Sequence, residues 1–191
     1  MKVGIAGGIG SGKSYVARRL ARHGIEVYDC DVAAKRLMRT SPELRRQLTE
    51  LIGQDAYIND NVNELNKSAV SRFLLASEEN AQAINAIVHP AVFADFLQSG
   101  CQWLESAIMY ESGANHYVDR VIVVTAPEEV RLQRIVQRDG ITREQAKAWM
   151  SRQWSQDEVC RRADYEIVND GETDIDKQLN IILEQLCNKP F

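Results

Sequence analysis

Eight residues near the start of the chain, Gly7-Gly8-Ile9-Gly10-Ser11-Gly12-Lys13-Ser14, place glycine, lysine and serine at the spacing G-x-x-x-x-G-K-[ST]. Glycines so spaced let a backbone fold around an oxyanion with its N–H groups turned inward, where a Cβ would collide. Lys13 then supplies a charge to the β and γ phosphates of a nucleotide, and the Ser14 hydroxyl is placed to ligate Mg²⁺. Gly8, Gly10, Ser11, Gly12, Lys13, Ser14 and Tyr15 are therefore the expected nucleotide contacts, with Ser14 the metal ligand. The alternative is an ordinary glycine-rich turn, and the flanking residues argue against it. The apolar run Val3-Gly4-Ile5-Ala6 reads as a strand, and Tyr15 to Ala21 reads as a helix with Val16, Ala17 and Leu20 on one side.

A second set of reactive groups follows the short β-branched run Ile25-Glu26-Val27-Tyr28, which delivers Asp29-Cys30-Asp31. Carboxylates two apart at the end of a strand can face one side, and strand ends beside a phosphate loop are where open α/β sheets bind ligands. Asp31 is the expected acid–base group. The competing reading has Asp31 capping the helix Val32 to Met38 and Asp29 solvated. His89, before Pro90, is either a substrate hydrogen-bonder or a structural one at a bend. Glu105 and Glu111 bound an expected buried strand, Trp103 to Glu111, and metal support is expected from Asp31, Glu105 or water.

The third reactive feature is a shift of charge. The chain has 191 residues and a net charge of −4. The segment from Arg131 to Arg162 holds eight basic residues against four acidic ones, which makes it +4 and the remainder −8. An arginine-rich helical hairpin suits phosphoryl transfer, because it spreads positive charge over the moving group and, on closing, excludes water. Arg138 is the leading candidate, since Arg138-Asp139-Gly140 reads as a helix end followed by a hinge-like turn. The plainer alternative is a solvated hairpin whose arginines pair with Asp139, Glu144, Asp157 and Glu158.

These groups need elements to hold them. Arg120 to Pro127 is a continuous β-branched run suited to a sheet covered on both faces, Glu128 to Val136 a helix, and Ala163 to Gly171 a closing strand and turn before a helix from Ile175 to Leu186. With five strands joined largely by helices, the expectation is a doubly wound α/β sheet in a single domain over 1–191. Residues 41–98 are helical in pattern, with a polar break at Tyr57 to Asn61, and are longer than one crossover requires, so they are read as an inserted acceptor-binding piece. Residues 138–163 are read as a lid. The overall acidity disfavours a general nucleic-acid binder. Cys30, Cys101, Cys160 and Cys187 are scattered, with neither metal-ligand spacing nor a disulfide framework. The strand begins too early for a cleavable leader and no apolar run approaches the ~20 residues of a membrane span, so a cytoplasmic location without membrane partners is expected.

Together these residues resemble the dephospho-CoA kinases, a P-loop family of the nucleoside-monophosphate-kinase type. The likeness covers nearly the whole chain: the Gly7 to Ser14 loop, Gly24-Ile25 through Asp31, His89-Pro90, Arg138-Asp139, Thr142 to Ala146, Gln153, and Ala163 to Gly171. It implies a five-stranded parallel sheet of order 2-3-1-4-5 with helical CoA-binding and lid pieces. It also implies ATP and dephospho-CoA as substrates, Asp31 as general base and Asn169 beside the adenine. Three positions depart from the family: Ala107 stands for a strand-end proline, Trp149 for a lid arginine, and Tyr15 for a small hydroxyl residue. Oligomeric state is expected to be a monomer or small homo-oligomer. The rival expectations are another small-acceptor kinase, for a nucleoside or hydroxy acid, and a nucleotide-dependent switch. The switch is disfavoured because no N-K-x-D-like guanine motif is evident.

Overall fold

A computed structural model describes residues 1–58 and 64–188. In chain order it contains β1 (Val3–Ala6), α1 (Lys13–Ala21), β2 (Val27–Asp29), α2 (Cys30–Thr40), α3 (Pro42–Ile52), α4 (Lys67–Ala76), α5 (Glu78–Ser99), β3 (Trp103–Ser106), β4 (Arg120–Thr125), α6 (Glu128–Asp139), α7 (Arg143–Met150), α8 (Gln156–Arg162), β5 (Tyr165–Val168) and α9 (Ile175–Asn188). The strands form one parallel sheet of order β2-β3-β1-β4-β5. In its register Ile5 lies between Glu105 on β3 and Ile122 on β4.

The chain forms two compact units, Met1–Tyr28 with Cys101–Phe191, and Asp29–Gly100. In the first, Val3, Ile5, Val16, Leu20, Ile122, Val124, Ile167 and Leu179 form a buried cluster. The β-branched runs are unbroken because both sheet faces are covered, which removes the alternation of a half-exposed strand. In the second unit, α5 packs against α2, α3 and α4. Its buried side is Ile84, Val88, Val92, Phe93 and Phe96.

Several boundaries differ from the sequence reading. Pro90 does not interrupt its helix: α5 runs through it from Glu78 to Ser99. A helix-interior proline costs about 3 kcal/mol, whereas each fully buried large apolar side chain contributes about 1.5–3 kcal/mol, so five of them outweigh it. The expected strand from Trp103 to Glu111 ends at Ser106. There the Ser106 hydroxyl accepts the Ile108 N–H at 3.2 Å and turns the chain. The helix read as Glu128 to Val136 extends to Asp139 and stops at Gly140, in the left-handed region at φ 64°, where Arg138-Asp139-Gly140 reads as a helix end. Of the polar break, residues 59–61 lie outside the described residues.

Candidate active site

The phosphate loop leaves β1 and enters α1 through three glycines at positive φ, Gly7 at 144°, Gly10 at 80° and Gly12 at 98°. A Cβ at Gly7 would lie 2.5 Å from the Val124 carbonyl oxygen, and one at Gly10 would lie 2.7 Å from that of Arg131. Glycine is thus required twice over, by torsion and by space. Gly12 is the N-cap of α1 and offers no side-chain cap. Helix geometry points the first-turn N–H groups of α1 back into the loop, which makes it an anion seat.

What keeps the loop's amides turned inward is a set of donors outside it. Arg131 Nε donates to Ile9 O at 3.0 Å, and Asn169 Nδ2 donates to Ser11 O at 2.8 Å. Arg134 Nη1 reaches both Gly10 O and Ser11 O at 3.4 Å. In a trans peptide the C=O and N–H point in opposite directions. Holding the Ile9 and Ser11 carbonyls outward therefore turns the Gly10 and Gly12 N–H groups inward. The Ser11 N–H closes the turn on Gly8 O at 3.1 Å. Arg131 is buried, and burial pushes its pKa down against the opposing charge of Glu128.

Lys13 and Ser14 follow the loop at the head of α1. Lys13 Nζ donates to Gly7 O at 2.7 Å, which holds the ammonium across the loop. The Ser14 hydroxyl donates to Glu105 Oε1 at 3.0 Å. Glu105 is buried on β3, one strand over from the loop's own strand. A hydroxyl and a carboxylate oxygen at this separation suit a hard divalent cation, and Mg²⁺ characteristically adds water and phosphate oxygens to one or two protein ligands. No cluster of three or more His, Cys, Asp or Glu side chains that could hold a metal is found among the described residues. The Ser14–Glu105 donor pair fits a Mg²⁺ ion whose remaining ligands would be water and nucleotide phosphate oxygens.

The other sequence candidates fall as follows. Asp29, not Asp31, caps α2, its Oδ1 accepting the Val32 N–H at 2.9 Å. Asp31 is exposed in the first turn of the same helix, so the capping role that the competing reading gave it belongs to Asp29. His89 packs on Phe93 with ring centroids 6.1 Å apart, and burial pulls its pKa below the ordinary value. Arg138 pairs with Asp139 at 2.7 Å. Arg131 and Arg134, two turns and one turn earlier on α6, are the arginines that reach the loop. Glu111 accepts the Trp154 N–H at 2.9 Å. Asn169, besides holding Ser11 O, lines a cavity of about 490 Å³ with Gly12, Tyr15, Arg134 and Ile175. The Tyr15 hydroxyl accepts from Arg19, which pairs with Asp176 at 2.6 Å.

Sequence reasoning passed over Arg131 and Arg134 as loop contacts. The regular i, i+3 spacing of Arg131 and Arg134 on one helix face, ending at Arg138, was the available signal.

A glycine cradle, a lysine across it and a serine–carboxylate pair at the switch point of a parallel sheet define a P-loop nucleotide-dependent phosphotransferase. The comparisons with known proteins narrow this class. A family model described as dephospho-CoA kinase matches residues 1–174. Dephospho-CoA kinase of Bacteroides fragilis is 37% identical over 196 residues, covering 99% of this chain and 94% of the relative. That of Chlorobaculum tepidum is 38% identical over 183 residues, covering 90% and 88%. Among solved structures, TT1252 from Thermus thermophilus superposes with a TM-score of 0.82 at 28% identity, covering 97% of each chain. The chain belongs to the dephospho-CoA kinase family.

Proposed function

We propose that this chain transfers the γ-phosphoryl group of ATP to the ribose 3′-hydroxyl of dephospho-CoA, giving CoA and ADP in the last step of CoA synthesis. The observation that carries the reading is the phosphate cradle of Gly7 to Ser14, braced from outside and closed by Lys13, in a chain of this family.

Lys13 binds the β and γ phosphates, and the cavity beside Tyr15 and Asn169 takes the rest of the nucleotide. Ser14 and Glu105 would hold Mg²⁺, which when bound neutralises charge on the β and γ phosphate oxygens. Asp31 orients the ribose hydroxyl and accepts its proton late in the transfer. Residues 41–98 supply the acceptor site, and 138–163 act as a lid that excludes water. Arg138 adds charge at the lid's base once it leaves Asp139. No helix among the described residues is long and apolar enough to cross a membrane. A cytoplasmic monomer or small homo-oligomer completes the reading.

The test is ADP release in a coupled assay with ATP, Mg²⁺ and a panel of acceptors. Dephospho-CoA should exceed nucleosides, shikimate and gluconate by orders of magnitude in kcat/KM. Stoichiometric ATP binding with no acceptor-dependent ADP release would favour a nucleotide switch instead.

A further inference from the structure

The segment that joins α7 to α8 grips two other parts of the first unit at once. Gln153 Oε1 accepts the Ile9 N–H at 2.8 Å, and Gln153 Nε2 donates to Ala107 O at 3.2 Å. A primary amide is the side chain that offers an acceptor at one end and donors at the other. Trp154 adds a second grip on the same turn. Its backbone N–H donates to Glu111 Oε1 at 2.9 Å, and its ring stacks on Tyr110 with centroids 6.2 Å apart and planes 7° from parallel. The Arg162 guanidinium covers the Trp154 ring at 4.8 Å.

Ile9 is thereby held on both sides. Its N–H is fixed by Gln153, and its C=O by Arg131 Nε at 3.0 Å. The turn at the other end of the amide begins two residues after Glu105, the partner of Ser14. One side chain on the basic hairpin thus sets the phosphate loop against the strand end that carries the carboxylate.

We infer that Gln153 is a positioning residue for phosphoryl transfer, acting through the Ile9 peptide and the Ala107 carbonyl, with Trp154 as its anchor. The inference rests on the kinase reading above. Gln153 need not touch substrate for this role. In-line transfer tolerates little misplacement of the donor, and a shift of about 1 Å in a supporting group can cost about 100-fold in rate.

Two variants test it. Gln153→Ala removes both hydrogen bonds and should lower kcat by about tenfold or more, with KM for dephospho-CoA within about twofold of wild type. Gln153→Glu keeps the shape and still accepts from Ile9, but its ionised carboxylate cannot donate to Ala107 O. A glutamate side chain has an ordinary pKa of about 4.3, so it stays ionised in the assay and the Ala107 bond stays lost. Its kcat should therefore also fall about tenfold or more below wild type at every pH from about 6 to about 8.5, with KM for dephospho-CoA within about twofold, a split that a loss of packing would not produce. Thermal melts of both variants confirm folding. A kcat within twofold of wild type in Gln153→Ala, or in Gln153→Glu, overturns the inference. If wild type itself releases no ADP on adding dephospho-CoA, the kinase reading has failed on its own. The role is then read by ATP titration: at least fivefold weaker binding by Gln153→Ala supports it, and unchanged affinity overturns it.

Discussion

Gly10 and Gly24 form a matched pair that separates the torsional demand on a glycine from the demand for space. Their φ values are 80° and 74°, so an alanine at either carries nearly the same left-handed strain, about 1–2 kcal/mol. Around Gly24 a new Cβ meets nothing within 4 Å. At Gly10 it would sit 2.7 Å from the Arg131 carbonyl oxygen and 3.1 Å from the Arg131 Cα. Both are backbone atoms of α6, which no rotamer change can move aside. Overpacking of that kind adds about 1–3 kcal/mol. Gly10→Ala should therefore destabilise by about 2–5 kcal/mol and Gly24→Ala by about 1–2 kcal/mol, read from urea melts with unchanged m-values. If the loop instead relieves the clash by moving, the excess appears as lost ATP affinity, about 5- to 150-fold for 1–3 kcal/mol. Equal stability and equal ATP affinity in the two variants would refute the argument that the loop is held against α6.

Three further outcomes follow from the site and its surroundings. Glu105→Gln keeps the shape and an acceptor for the Ser14 hydroxyl but removes the charge, so half-saturating Mg²⁺ should rise about tenfold or more in the coupled assay while the melting temperature holds; an unmoved Mg²⁺ dependence removes Glu105 from the metal site. Asp31→Asn should lower kcat about 100-fold with ATP affinity nearly intact, whereas Asp29→Ala should cost about 1 kcal/mol of stability through the lost helix cap. Burial holds the His89 imidazole below its ordinary pKa of 6.5, so as pH falls the unfolded chain takes up a proton before the folded one does. Stability should then fall as pH drops through 6.5 and level off below the folded pKa, and His89→Gln should flatten that slope in urea melts between about pH 7.5 and 5.

The parts of the fold that were readable in the sequence are those fixed by neighbouring residues. β1, β4 and the phosphate loop follow from β-branched runs and glycine spacing, which act over a few positions. The errors arose where distant packing outvoted a local preference. Pro90 disfavours helix at His89, yet α5 continues because its buried side has three helices to meet. The run from Trp103 to Glu111 looks like one strand, but the Ser106 hydroxyl turns the chain after four residues. The competing sequence reading made Asp31 the cap of the second helix, whereas the fold makes it Asp29. The choice was made by where β2 ends, since the cap is the last residue before helical torsion begins.

The site was legible in its reactive groups and illegible in what braces them, and the excess of basic residues shows why. Counted in the sequence, eight cations between Arg131 and Arg162 look like charge waiting for a phosphoryl group. In the fold Arg131 and Arg134 are bound to loop carbonyls more than 120 residues away in sequence. Arg143 is taken by Glu129, and Arg161 and Arg162 by Glu158. A guanidinium donating to a carbonyl sets the direction of a peptide, and through it the inward aim of the next N–H. Two of the eight cations therefore act by orienting loop amides, and four more are held in ion pairs with Asp139, Glu129 and Glu158.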